Sequence, residues 1–238
     1  MNRYALEGRY SMLLSSMGIP IGEVLQKAHL PNDLFSRKNI SLTQEEYFRL
    51  MESINSFILN EETLLKLSTA ENIETFSPPI FAAFCSKNAE SCIERLAKYK
   101  RLISPMIFIT SKDVNSFTVE LTTESPSHSL PVFLVEMEFT FLINLIRSAT
   151  KEHITPLNIT LQKSINNRSL QAYWGCEPKL SIRNTLTLSI NDAHKPFISQ
   201  NDAMWDYFEP ELKRRLSELE IDDSFVARVR SALIELLP

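Results

Sequence analysis

Only four glycines occur in the 238 residues, at positions 8, 18, 22 and 175, and this leaves little room for a glycine-rich phosphate loop. Cysteine is scarce too. Cys85, Cys92 and Cys176 form an odd, sparse set, unlike the disulfide framework of a small secreted domain. Cys85 and Cys92 stand seven apart, which is neither a zinc nor a redox spacing, and His29, His128, His153 and His194 are scattered without an i, i+4 pair. No metal and no cofactor are expected. There is no excess of positive charge: 25 Lys and Arg against 29 Asp and Glu leave a net charge of -4, so the chain lacks the footprint of a general nucleic-acid binder. Any grip on DNA has to come from another domain. The longest apolar runs, such as Phe139 to Ile146, are interrupted by Thr140 and Asn144 and fall short of a membrane span. The N-terminus meets Glu7 before any apolar core and has no small-residue cleavage site, so a cytoplasmic location is expected.

Catalytic signatures are equally thin. There is no Gly-x-Ser-x-Gly elbow, no Ser-x-x-Lys pair in a suitable context and no local Cys-His arrangement. The acid pairs Glu45-Glu46, Glu61-Glu62 and Asp222-Asp223 sit in or just before expected helix first turns, where they offset the helix dipole. The chain therefore does not read as an enzyme. The basic runs Lys98-Tyr99-Lys100-Arg101, at a helix end, and Lys213-Arg214-Arg215, mid-helix, read as solvated faces.

What the chain does hold is 44% hydrophobic residues, enough for a proper core, arranged first at helical and then at strand spacing. Helices are expected from Tyr4 to Met17 and from Ile21 to Leu30, closed by Gly18-Ile19-Pro20 and Pro31-Asn32-Asp33. Ser41 or Thr43 caps a helix carrying Tyr47, Phe48, Leu50, Met51, Ile54 and Phe57. Further helices run from Glu61 to Ala70, from Pro78 through Ser86, and from the Asn88 cap through Leu102. After Pro105 the period falls to two. Met106 to Thr110 and Phe117 to Leu121 form a hairpin, Pro131 opens a long apolar helix to Thr150, and Leu157 to Gln162 alternates as a strand. Ile182, Leu186, Leu188 and Ile190 suggest another strand, and helices at Asn201 to Leu219 and Ser224 to Leu237 finish the chain. The fold class is α+β: a helical N-terminal half, a small and mainly antiparallel sheet, and C-terminal helices.

Trp205, Phe208, Leu212, Leu216 and Leu219 form a seam with three- and four-residue steps, suited to packing on a helix. It serves either docking on this chain's own core or a two-fold dimer contact. A ligand pocket should be mostly apolar with a few placed polar groups. The expected lining is Phe108, Phe117, Phe139, Tyr173 and Trp174, with Glu136 and Arg147 as polar readers, since charges in so apolar a helix either face solvent or have a partner. The same aromatics would serve equally as core. The last helix, with Phe225, Val226, Val229, Leu233 and Leu236 in one stripe, stops at Pro238, where a second structural unit is expected to begin.

Several motifs, taken in order, carry a resemblance. They are Met17-Gly18-Ile19 with Val24-Leu25 and Ala28-His29-Leu30-Pro31, then Ile40 to Gln44, then Cys92 to Tyr99. Tyr173-Trp174-Gly175-Cys176-Glu177-Pro178, Asn184 to Leu188 and Pro196-Phe197 follow. In this order and spacing the chain resembles the N-terminal effector-binding and dimerisation region of AraC-type transcription regulators, of the arabinose-binding-domain type. The resemblance implies a bacterial sensory domain over residues 1–220 that binds a small-molecule effector and forms a homodimer, and it favours the dimer use of the seam Trp205, Phe208, Leu212, Leu216 and Leu219. It also implies that residues 221–238 lead into a helix-turn-helix DNA-binding domain that this chain does not contain. Family members share no single ligand, so no pocket residues carry over. The alternatives are a standalone dimerisation or protein-interaction module without a ligand, and an unrecognised enzyme.

Overall fold

A computed structural model describes residues 3–6, 10–37, 40–58, 60–69, 77–123 and 129–236, with the backbone alone for residues 3, 5 and 220–236. The chain opens on strand β1 (Arg3–Ala5), which pairs antiparallel with β2 (Ser41–Thr43). A helix from Tyr4 is therefore not what forms. Tyr4 lies opposite Leu42 and both are buried, so a long-range pairing overrides the local helical period. Helix α1 starts only at Tyr10 (Tyr10–Ser16), followed by α2 (Ile21–Lys27) and α3 (Gln44–Ser56). Thr43 caps α3 in a reciprocal box: its Oγ1 accepts from the Glu46 amide at 3.2 Å, and Glu46 Oε2 accepts from the Thr43 amide at 2.8 Å. Helix α4 (Glu61–Ser68) is capped by Asn60, and α5 (Pro78–Phe84) begins on its prolines. Helix α6 (Ala89–Tyr99) is capped by Asn88 as expected and tightens into a 3-10 turn at Lys100–Leu102.

The expected hairpin is β3 (Ile107–Lys112) and β4 (Ser116–Thr122), turned by Asp113, whose Oδ1 accepts from the amides of Asn115 and Ser116 at 2.7 Å each. With β5 (Asn158–Leu161), β6 (Lys179–Leu180) and β7 (Asn184–Ser189) they form one sheet in the order β3-β4-β7-β5-β6. Every pairing is antiparallel except β5 with β6. Along β4 the residues alternate, with Phe117, Val119 and Leu121 buried. Register sets Phe117 opposite Leu188 and Val119 opposite Leu186, which places one apolar face on the core.

Helix α7 (Val132–Thr150) is the centre of that core. Fourteen of its nineteen residues are buried, and it packs against α3, α4 and α8 (Arg168–Trp174). Helix α8 lies in a stretch without a periodic signal. Asn167 caps it, accepting from the Leu170 amide at 3.0 Å, and Trp174 ends it in the core, donating from Nε1 to Thr140 Oγ1 at 2.9 Å. After α9 (Ile190–Ala193) comes α10, one continuous helix from Asp202 to Leu236. The expected break at Ser224 is absent: Asp222, Asp223 and Ser224 are weak helix formers rather than breakers, and no glycine or proline falls between 211 and 236. Pro210 is instead carried inside the helix, where it removes one main-chain donor. Side chains in the expected stripe from Phe225 to Leu236 lie beyond those described, and Leu237 and Pro238 lie outside the described residues. The fold class is the α+β arrangement expected.

Gly175 closes α8 at φ +78, and a Cβ there would meet Thr155 Cγ2 at 3.1 Å. Gly175→Ala is expected to lower stability by about 1–2 kcal/mol, read as a lower urea midpoint with an unchanged m-value.

Candidate functional site

A cavity of about 150 Å³ lies among the helices, and the sheet touches it only through Phe108. Tyr10, Leu13 and Leu14 of α1 and Tyr47, Met51 and Ile54 of α3 form one side. Opposite them, α7 presents Phe133, Met137, Glu138 and Phe141, which its turn brings onto one stripe. Leu67 and Ser68 of α4, Ser77 and Ile80 at α5, and Leu96, Lys100 and Ile103 at the end of α6 complete the lining. A space of this volume, mostly apolar in its lining, accepts a ligand about as large as benzene.

Its wall carries one buried ion pair. Lys100 Nζ donates to both oxygens of Glu138, at 2.8 Å each, and the two side chains are 4% and 10% exposed. Nζ also sits 4.6 Å from the centroid of the Phe108 ring. Lys100 was expected on a solvated helix end. It is buried because the 3-10 turn rotates it inward, onto an acid of α7 that has no other counter-charge among the described residues of the cavity wall. Nearby, burial holds the Tyr47 phenol well above its usual value, with Tyr10 and then Glu138 adding to the shift, so Tyr47 stays neutral. The Ser77 hydroxyl is buried with no hydrogen-bond partner among the described residues.

Of the seven residues expected to line a pocket, Phe108 reaches this cavity. Phe117, Phe139 and Trp174 are fully buried in the main core, and Tyr173 packs at its edge with its hydroxyl donating to Asn144 Oδ1 at 3.0 Å. Arg147 has found partners: Nε donates to the Ile154 carbonyl and Nη1 to the Tyr173 carbonyl, both at 2.8 Å, with the guanidinium 4.7 Å from the Tyr173 ring. It ties α7 to the loop behind it and to α8. Glu136 points away from the cavity, toward Leu161 and Gln162, and no described residue bonds its carboxylate. It is 9% exposed, and burial, helped by the nearby Glu61 charge, pushes its carboxyl up to about 7.

The seam on α10 packs against this chain's own helices. Leu212 is fully buried in a second, smaller cluster with Ala82, Tyr99 and Leu102, against which Trp205, Phe208, Leu216 and Leu219 also pack. The Arg95 guanidinium lies 3.6 Å over the Trp205 ring, the Phe81 and Phe208 rings meet edge-on at 5.6 Å, and Lys98 pairs with Glu209 at 3.5 Å. Two of the helices that bound the cavity therefore also carry α10. On α5, Ile80 faces the cavity while Phe81 and Ala82 face α10. Around the end of α6, Leu96 and Lys100 face the cavity while Arg95, Tyr99 and Leu102 face α10.

A family model, the N-terminal arabinose-binding domain of AraC transcription regulators, matches residues 18–197. The chain belongs to this family. Among solved structures, the transcriptional regulator CdpR from Pseudomonas aeruginosa shares the fold, with a TM-score of 0.52 at 11% identity over 82% of this chain. The chain spans 64% of that protein's length. No curated protein matches the sequence. The matched domain is one found in transcription regulators of the AraC type. The family match ends at residue 197, so the docked segment of α10 lies wholly beyond it.

Glu136 gives this AraC-type domain a distinct pH signature. Unfolded, the group loses its proton near 4.5; folded, it keeps it to about 7. Its cost to stability is absent below pH 4.5, grows between the two values and is complete above 7. Glu136→Gln is expected to raise stability by about 1–2 kcal/mol at pH 8 and to leave it nearly unchanged at pH 4, measured by urea unfolding at both.

Proposed function

We propose that this domain senses a small, largely apolar effector in the cavity between α1, α3 and α7, and relays occupancy through α5 and α6 to α10. The observation that carries this reading is the sharing of α5 and α6, each of which has one side on the cavity and the other on α10. An effector acts only by binding one arrangement of the domain better than another. Filling a cavity bounded by these two helices is a direct way to shift the balance between two seats for α10. In this reading residues 1–220 are the sensory unit, and the later part of α10 leads to a helix-turn-helix domain that meets DNA. The protein works in the cytoplasm as a homodimer, and the greater length of CdpR is consistent with a further domain.

The full chain is expected to rise in melting temperature by about 5–10 °C at a hundredfold excess of effector over Kd, in a screen of amino acids, sugars, fatty acids and small apolar compounds. Met137→Trp, which fills the cavity from α7, should remove the shift while leaving a cooperative melt. A screen without any saturable hit would favour a standalone interaction module. For the dimer, sedimentation of the full chain at micromolar concentration is expected to give twice the 27.3 kDa chain mass, and a mass of 27.3 kDa would remove that part of the reading.

A further inference from the structure

Among the described residues of the cavity wall, charge is already balanced. Lys100 gives two of its three N–H bonds to Glu138, and its remaining positive face lies against Phe108. Each Glu138 oxygen accepts one of those bonds, and a carboxylate offers about four lone-pair sites, so the unspent capacity of the pair is acceptor capacity on Glu138. The other polar side chains among the described residues of the wall, the hydroxyls of Tyr10, Tyr47, Ser68 and Ser77, carry no charge to offset a charged ligand, and the buried Ser77 hydroxyl has no hydrogen-bond partner among the described residues.

We infer that the cavity takes an uncharged ligand of about the size of a monosubstituted benzene, with an apolar body and one hydroxyl or amide N–H that donates to Glu138. A carboxylate would meet the Glu138 charge and could reach Lys100 only by breaking the pair. An ammonium would reach Glu138 only by approaching Lys100. Either ion leaves one buried charge uncompensated, which an apolar cavity penalises heavily. This inference rests on the cavity being the effector site, and it narrows that site's chemistry to neutral alcohols, phenols and amides.

Four probes of nearly one shape test it by calorimetric titration of the full chain: ethylbenzene, phenethyl alcohol, phenylacetate and phenethylammonium. Phenethyl alcohol is expected to bind about tenfold tighter than ethylbenzene, the usual gain from a hydrogen bond to an ionised acceptor, with both ions weakest. In Glu138→Gln the order should turn over, because Lys100 is left without its counter-charge and phenylacetate supplies one. The double variant Lys100→Met with Glu138→Leu replaces the pair by apolar groups of similar volume, a change that folds tolerate well. There ethylbenzene should still bind, and the roughly tenfold advantage of the alcohol should vanish. An ion binding tightest to the wild-type chain overturns the neutral-ligand inference and leaves the cavity as the effector site. Failure of all four, ethylbenzene included, overturns the effector site itself.

Discussion

Helix α7 is apolar on nearly every side, and the rest of the domain is arranged to satisfy that condition. A helix with a single apolar stripe can lie on a surface, whereas one buried all round needs cover in every direction. Here the cover comes from α3 and α4, from α8 with Trp174, and from one face of the sheet. Trp174 shows how closely this is enforced, since its indole N–H reaches a hydroxyl inside α7 itself, that of Thr140, which in turn donates to the Glu136 carbonyl. Where cover is incomplete, along the stripe from Phe133 to Phe141, the cavity forms.

The acids on α7 show two answers to the same difficulty. Glu138 is paired with Lys100, which donates one hydrogen bond to each of its oxygens. Glu136 has no such partner among the described residues, and burial shifts its titration instead. Only the first arrangement presents fixed charge to the cavity. A buried charge pair beside a cavity costs desolvation, so it is weak evidence for stability.

Local chemistry was legible from sequence where partners are neighbours. The cap at Asn88, the Thr43-Glu46 box and the Asp113 turn each depend on residues within three positions of one another, and each forms as the residue types suggest. Other features were hidden for stated reasons. Helix α8 has two fully buried anchors, Leu170 and Trp174, too few for a periodic signal. The Lys100–Glu138 pair spans 38 positions, and nothing local distinguishes Lys100 from the cations around it. Glu136 and Glu138 are two apart on a helix and face nearly opposite ways, so choosing between them requires knowing what lies on each side. The α10 seam was readable as a seam. Its partner was not, because a stripe of that spacing is equally content with a neighbouring helix of the same chain or of another copy.

The continuity of α10 has a mechanical consequence. At 1.5 Å per residue its 35 residues make a rod about 52 Å long, of which roughly the first half is seated on α5 and α6. A rod pivoting in its seat multiplies displacement with distance. A tilt of about 5° at the seat would carry a point ~25 Å further along sideways by ~2 Å, half the diameter of a side chain or more, without any change inside the rod. The seat includes Pro210, the one place in the helix where a main-chain hydrogen bond is already missing and bending is cheapest. A small shift of the seat would thus be geared up along α10 to the scale at which one protein surface can tell two positions of another apart.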